Sequence, residues 1–292
     1  MKSKTILAFS IATTLVSAPA LHSATESWYA TGSSGNWDTT TTGNWVWGNN
    51  PFQAGDRVYF ELPGVAKTVN IIGTVSPSEV WFGLDGFNIT GGTLAFTKNT
   101  YGWPYIGLAG HTDTISSYID STAAGTIQLG ITGVGGTLNL GGGGTFTGLG
   151  QGGVGQTLSL TAGTYTVGAD LQLNNAGTLK FTIGSGVMLN VGGQLTLNHW
   201  DGTAQANVTN NNILDFATTG PLSGNYVIAS YGSLYGSFGS ATHIPSGYAV
   251  DYAYNNGKTS NNIALVAIPE PSTWMPLLGG LGMLTMFRRR RA

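Results

Sequence analysis

The chain has no cysteine in 292 residues, which excludes disulfides, thiolate zinc sites and a thiol nucleophile together. Charge is nearly as scarce, at 8% of residues. Of the eleven basic residues, two lie within the first four positions and four close the chain, leaving Arg57, Lys67, Lys98, Lys180 and Lys258. Between Ala24 and Ile268 these five face twelve acids, a net charge of −7. Phosphate binding needs clustered Lys and Arg, so nucleic acid and anionic lipid surfaces are poor partners for this region. The middle of the chain has no helical periodicity. A dinucleotide-like spelling, Gly148-Leu149-Gly150-Gln151-Gly152-Gly153, leads into an alternating strand and not the helix N-terminus that a pyrophosphate requires.

Glycine is abundant, with 46 residues, and a short phrase recurs among them. Gly91-Gly92-Thr93-Leu94-Ala95-Phe96, Gly125-Thr126-Ile127-Gln128-Leu129, Gly135-Gly136-Thr137-Leu138-Asn139-Leu140, Gln156-Thr157-Leu158-Ser159-Leu160, Gly177-Thr178-Leu179-Lys180-Phe181-Thr182-Ile183 and Gly192-Gly193-Gln194-Leu195-Thr196-Leu197 share one template. Each is a turn followed by apolar–polar alternation. Period two puts Leu179, Phe181 and Ile183 on one face, toward a core, and Thr178, Lys180 and Thr182 on the other, toward solvent. The steps Thr137 to Thr157, Thr157 to Thr178 and Thr178 to Gln194 are 20, 21 and 16 residues. Units of this size, each a strand pair with Gly-rich corners, predict the coils of an all-β, parallel β-solenoid (β-helix-like) body. A sandwich or meander is the competing architecture. About 240 residues can bury a sufficient core without staples.

A solenoid must close its ends. Trp28, Trp37, Trp45 and Trp47, half of the eight tryptophans, fall within twenty residues. They suit either an aromatic N-terminal cap, where large rings bury much area, or an exposed platform for stacking on sugars. Gly35-Asn36-Trp37-Asp38, Gly43-Asn44-Trp45-Val46-Trp47-Gly48 and Gly55-Asp56-Arg57-Val58-Tyr59-Phe60, with the Gly-Gly-Thr-Leu phrases, resemble bacterial proteins with autotransporter-associated β-strand repeats. Toward the other end, Asn255-Asn256-Gly257 separates two alternating runs, Tyr248 to Tyr254 and Ile263 to Ala267, and predicts a closing hairpin.

The last segment has a different character. Pro269-Glu270-Pro271-Ser272-Thr273 precedes an uncharged apolar run, Trp274 to Phe287, and then Arg288, Arg289, Arg290 and Arg291. Arginines after an apolar run stay on the cytoplasmic side and place the body outside. These residues resemble the PEP-CTERM sorting signal of Gram-negative bacteria. The resemblance implies a short C-terminal transmembrane helix and an exosortase, a membrane-embedded transpeptidase-like enzyme, acting near Pro269-Glu270-Pro271. An ordinary membrane anchor is the alternative, and the run is short for it, since spanning takes about 20 apolar residues. At the other terminus Lys2 and Lys4, the apolar stretch Thr5 to Val16 and the small residues Ala18, Ala20 and Ala24 form a secretory signal peptide, read by signal peptidase and the export machinery.

Candidates for chemistry are few. His111, His199 and His243 lack metal-ligand spacing, and His22 sits in or beside the leader. The glycine-rich stretch lacks the Asp of calcium-binding nonapeptide repeats. His199-Trp200-Asp201 gathers a His, an aromatic and an acid, and reads as a solvated turn. Asp170, Asp201 and Asp215 could supply a glycosidase's carboxylate pair only if their rungs align. The expectation is a protein without catalytic residues, metal or cofactor. It is exported to the cell envelope, surface or extracellular matrix, where it serves in structure or adhesion, with exopolysaccharide a candidate partner. A carbohydrate-binding surface protein is the alternative, and a glycan-cleaving β-helix is third. The expected organisation is a signal peptide (1–24), a body (25–268, with an aromatic cap at 25–60, repeats at 61–220 and closing strands at 221–268) and a sorting tail (269–292).

Mass spectrometry of envelope-derived protein should show a mature chain that begins near Thr25. Exported material with Met1 intact would contradict the leader assignment.

Overall fold

The computed structural model describes residues 24–47, 51–99, 101–130, 134–151, 153–173, 176–197, 211–255, 257 and 261–269. Every regular element among them is a β-strand. The strands form a parallel β-solenoid with three faces per coil.

The first face is a nine-stranded, wholly parallel sheet: Ser34–Trp37, Thr68–Ile71, Asn88–Thr90, Thr112–Ile115, Thr137–Leu140, Thr157–Leu160, Thr178–Ile183, Ile213–Thr218 and Ser240–Thr242. The second face contains Thr74–Val75, Thr93–Ala95, Tyr118–Asp120, Gly144–Phe146 and Thr164–Val167, and the third contains Thr25–Trp28, Arg57–Phe60, Glu79–Phe82, Tyr105–Gly107, Thr126–Leu129, Gly148–Gln151 and Leu171–Leu173. Two long strands, Met188–Thr196 and Tyr226–Tyr235, run across both faces and join them into a single 17-stranded sheet.

Alternation explains the core. Leu138, Leu158, Leu179 and Leu214 stack in register from coil to coil, as do Ile115, Leu140, Leu160, Phe181 and Phe216, and all are buried. Burying each such side chain contributes roughly 1.5–3 kcal/mol. The 20- and 21-residue steps are true coil lengths, because Thr137 pairs with Thr157 and Thr157 with Thr178.

Two expectations need correction. A coil holds three strands, not two. The 16-residue step is not a coil, since Leu195 pairs with Leu171 and Leu234 on the third face. The repeated phrases are spread over the three faces, with Thr93–Ala95 on the second and Thr126–Leu129 on the third. The strand that follows Thr178–Ile183 in its own sheet is Ile213–Thr218.

Both ends carry antiparallel strands. Trp45–Val46 pairs antiparallel with Thr25–Trp28 at the start of the third face. At the other end Asn262–Ala267 runs antiparallel to Tyr226–Tyr235 and to Tyr248–Asp251, the expected hairpin. An antiparallel strand breaks the template along which another solenoid could continue.

Polar side chains occupy several inner positions, among them Glu26, in register with Val58 and 1% exposed. Asp113 occupies the register of Leu138 and is 1% exposed; Gln151, in register with Leu129 and Leu173, is 2% exposed. Lys180 points outward as alternation requires, yet its Nζ lies 3.0 Å from Asp215 Oδ2 on the next coil.

Phe181→Asp should abolish the cooperative thermal transition. An unpaired buried carboxylate costs several kcal/mol, against the roughly 5–15 kcal/mol that holds a domain together. Lys180→Ser should cost about 1 kcal/mol or less, as for a partly exposed ion pair. Equal melting temperatures for the two variants would contradict the register.

Candidate functional surfaces

The tryptophan-rich segment folds inward. Trp28 and Trp37 are fully buried and Trp45 is 2% exposed. Trp28 and Trp45 meet edge to face at 5.0 Å between centroids, Trp37 and Trp45 at 5.6 Å, and Phe52 and Phe60 complete the cluster. The Trp28 indole N–H donates to Ala66 O at 2.9 Å. The repeated Gly-Asn-Trp spelling follows from this packing. Trp37 points in, while Asn36 points out and its carbonyl accepts from Asn44 Nδ2 at 2.7 Å. At Gly35 a Cβ would stand 2.8 Å from the Trp28 ring. Three of the four candidate sugar-stacking rings therefore have no free face, and the cluster is a cap. Trp47, 67% exposed with φ +60°, is the exception.

The acids and histidines are scattered. Asp170 accepts from Gln194 N at 2.7 Å in a corner, and Asp215 lies on the outer side of the first face, so the two do not form a carboxylate pair. Asp201 and the His199-Trp200-Asp201 group lie outside the described residues. His111 Nδ1 is 3.2 Å from Asp85 Oδ2. Among the described residues no group of three or more His, Cys, Asp or Glu could hold a metal.

Asp215 gathers a polar network from neighbouring strands. Its Oδ1 accepts from Thr242 Oγ1 at 2.7 Å and is 2.6 Å from His243 Nδ1, while Oδ2 meets Lys180. A carboxylate beside a histidine resembles part of a hydrolytic triad, but the hydroxyl here bonds the carboxylate and not the imidazole, so it is not activated as a nucleophile. The network ties three successive strands together. Burial pushes the Asp215 carboxyl up, but the His243, Thr242 and Lys180 donors outweigh it and hold it at about 2. In Asp113 burial dominates and raises the carboxyl to about 6; Oδ1 accepts from Phe87 N at 2.8 Å and Oδ2 is buried without a hydrogen bond.

The outer side of the third face carries a cluster that the sequence reading passed over. Ser27, Tyr59, Trp81 and Gly107 stand in register, beside a second row of Arg57, Glu79 and Tyr105. The Tyr59 and Trp81 rings are 6.3 Å apart. Glu79, 1% exposed, lies 3.4 Å from Arg57 Nε and accepts from Asn99 Nδ2 at 2.9 Å. Burial and the neighbouring Glu79 carboxylate push the Tyr105 hydroxyl above the usual tyrosine range. Asn99 Oδ1 accepts from the amides of Tyr101 and Trp103, whose side chains are 68% and 50% exposed. The signal was present in Arg57-Val58-Tyr59-Phe60 and Glu79-Val80-Trp81-Phe82, one alternation repeated with opposite charges at its first outward position.

The body ends at Ala267, whose N–H donates to Asn225 Oδ1 at 2.9 Å, and Ile268 N donates to Gly247 O. Pro269 is exposed. Glu270, Pro271, Ser272, Thr273, the apolar run and Arg288 to Arg291 lie outside the described residues, as do residues 1–23, all but the last residue of the expected signal peptide. No helix of the described residues is long and apolar enough to cross a membrane.

Residues 267–291 match the PEP-CTERM protein-sorting motif. A protein with this motif is exported, associated with the cell surface and processed by an exosortase. The motif covers only the tail and does not identify the family of the body. No curated protein and no solved structure is significantly similar to the chain.

The two carboxylates predict opposite pH effects. Asp215, held low, contributes stability above pH 4 that is lost as pH falls through about 2. Asp113, held high, keeps its proton in the folded state after the unfolded chain has released it, so stability falls between about pH 4 and 6. Thermal melts across pH 2–7 should peak near pH 4. Asp113→Asn should flatten the upper decline and Asp215→Asn the lower rise.

Proposed function

We propose that the protein is a non-enzymatic structural or adhesive component of the cell surface or extracellular matrix, delivered by the leader and sorted through its C-terminal motif. The observation that carries this reading is the join between the PEP-CTERM match at residues 267–291 and a solenoid whose last strand ends at Ala267. The tail follows at once from a strand bonded on both sides. A stack of coils with polar outer rows offers a long, weakly charged surface of Thr, Asn and Ser, suited to many weak contacts. The resemblance of the body to autotransporter-associated repeats, which implies a solenoid, supports the same reading. The organisation that fits is a leader at 1–24, an exported body at 25–268 and a sorting tail at 269–292, with Pro269, Glu270, Pro271, Ser272 and Thr273 presented to the exosortase and Arg288 to Arg291 fixing orientation.

Replacing Arg288 to Arg291 with Ser should misroute or release the protein, because this cluster is the positive-inside signal of the tail. Fractionation with protease shaving of intact cells measures it. Unchanged surface display in that variant and in one with Pro269 and Pro271 replaced by Ala would contradict tail-directed sorting.

A further inference from the structure

The buried tryptophans of the N-terminal cap cannot stack on a sugar, whereas the outer side of the third face carries half-buried rings. We propose that this side binds a neutral, linear polysaccharide, with Trp81 and Tyr59 as the stacking rings, Arg57 and Tyr105 as the polar groups beside them, and the buried Glu79 holding Arg57 in place. The inference rests on the surface or matrix role proposed above.

Flat, half-buried rings on an outward face, next to fixed hydrogen-bonding groups, match a pyranose, which offers an apolar C–H face and a rim of hydroxyls. The rings are positioned rather than loose. Trp81 lies over Gly107, where a Cβ would stand only 2.2 Å from its Cε3, so this coil holds a bare backbone beneath the indole. Glu79 is held from both sides by Arg57 and Asn99, and Asn99 also fixes the turn that presents Trp103. A preorganised site loses less conformational entropy when a ligand binds.

The linear form of the ligand follows from the register. The row beginning with Arg57 and Glu79 continues coil by coil through Tyr105, Gln128, Gly150, Gln172 and Thr196 to Tyr235 at the far end. At about 4.8 Å per strand, it makes a track roughly 34 Å long. Beyond the charged pair at its start and Gly150, its side chains are amides, a hydroxyl and phenol rings, which offer hydrogen bonds along the track. Neutrality follows from charge: the local set of Arg57, Glu61 and Glu79 carries more acid than base, and the body is at −7, so a polyuronate would be repelled.

The test is calorimetric titration of the purified protein with cellohexaose, laminarihexaose and xylohexaose, and with oligogalacturonate as the anionic comparison. At least one neutral oligosaccharide should bind saturably. Trp81→Ala should weaken it about tenfold or more, the loss of one well-stacked ring. Gly107→Ala, which keeps every ring but displaces the indole, should weaken it too. Trp47→Ala should leave it unchanged, and circular dichroism should show each variant folded. The site is overturned if no neutral oligosaccharide binds, if oligogalacturonate binds better, if a protein partner competes for the face without any sugar binding, or if Trp81→Ala binds as the parent does. Surface fractionation of Trp81→Ala separates the two proposals: normal display with lost binding supports the site, whereas failure of display in the parent overturns the surface role alone.

Discussion

Everything in this molecule depends on parallel strands pairing in register from coil to coil. No coil can bury its inner side chains alone, because each has a neighbour only above and below. The sequence must therefore repeat the same polarity at the same rung position, and Leu138, Leu158, Leu179 and Leu214 show the result. The constraint acts on the faces and leaves the corners free. Coils of 20 and 21 residues alternate with one of 35, from Thr178 to Ile213, with no loss of pairing. Extra residues at a corner cost only slowly growing loop entropy, whereas one extra residue in a strand would turn every later side chain over.

Where the inner pattern is broken, the break is polar. Asp113 binds the amide of Phe87 from inside the core. Asn212 reaches under the third face to the carbonyls of Leu173 and Leu197, both at 3.0 Å. Each replaces apolar packing with a hydrogen bond to a backbone group at a corner, where the sheet ladder does not satisfy it. Such residues hold the corners in shape at the expense of a uniform core.

The fold was legible because its signal is local and repeated. Alternation assigned Phe181 inward and Lys180 outward, and the distance between threonines matched the true coil. The third strand per coil was hidden because strands such as Thr74–Val75 have two residues, too few to show a period. The phrase at Gly192 misled because turn-plus-alternation is what any face of such a coil requires, so the same words appear on all three. The candidate surfaces were harder to read. Trp28, Trp37 and Trp45 stood out by crowding in sequence, yet crowding is what a cap needs. Tyr59, Trp81 and Tyr105 are 22 and 24 residues apart and become neighbours only through pairing.

The placement of the last strand bears on mechanics. A body tethered through the residues after Ile268 transmits any pull from the environment into Asn262–Ala267. That strand is flanked by Tyr226–Tyr235 on one side and Tyr248–Asp251 on the other, so it cannot peel away without breaking both ladders. An edge strand in the same position would open like a zipper, one bond at a time. A pull applied at Ile268 would thus be shared by the two ladders of the closing strands instead of falling on one.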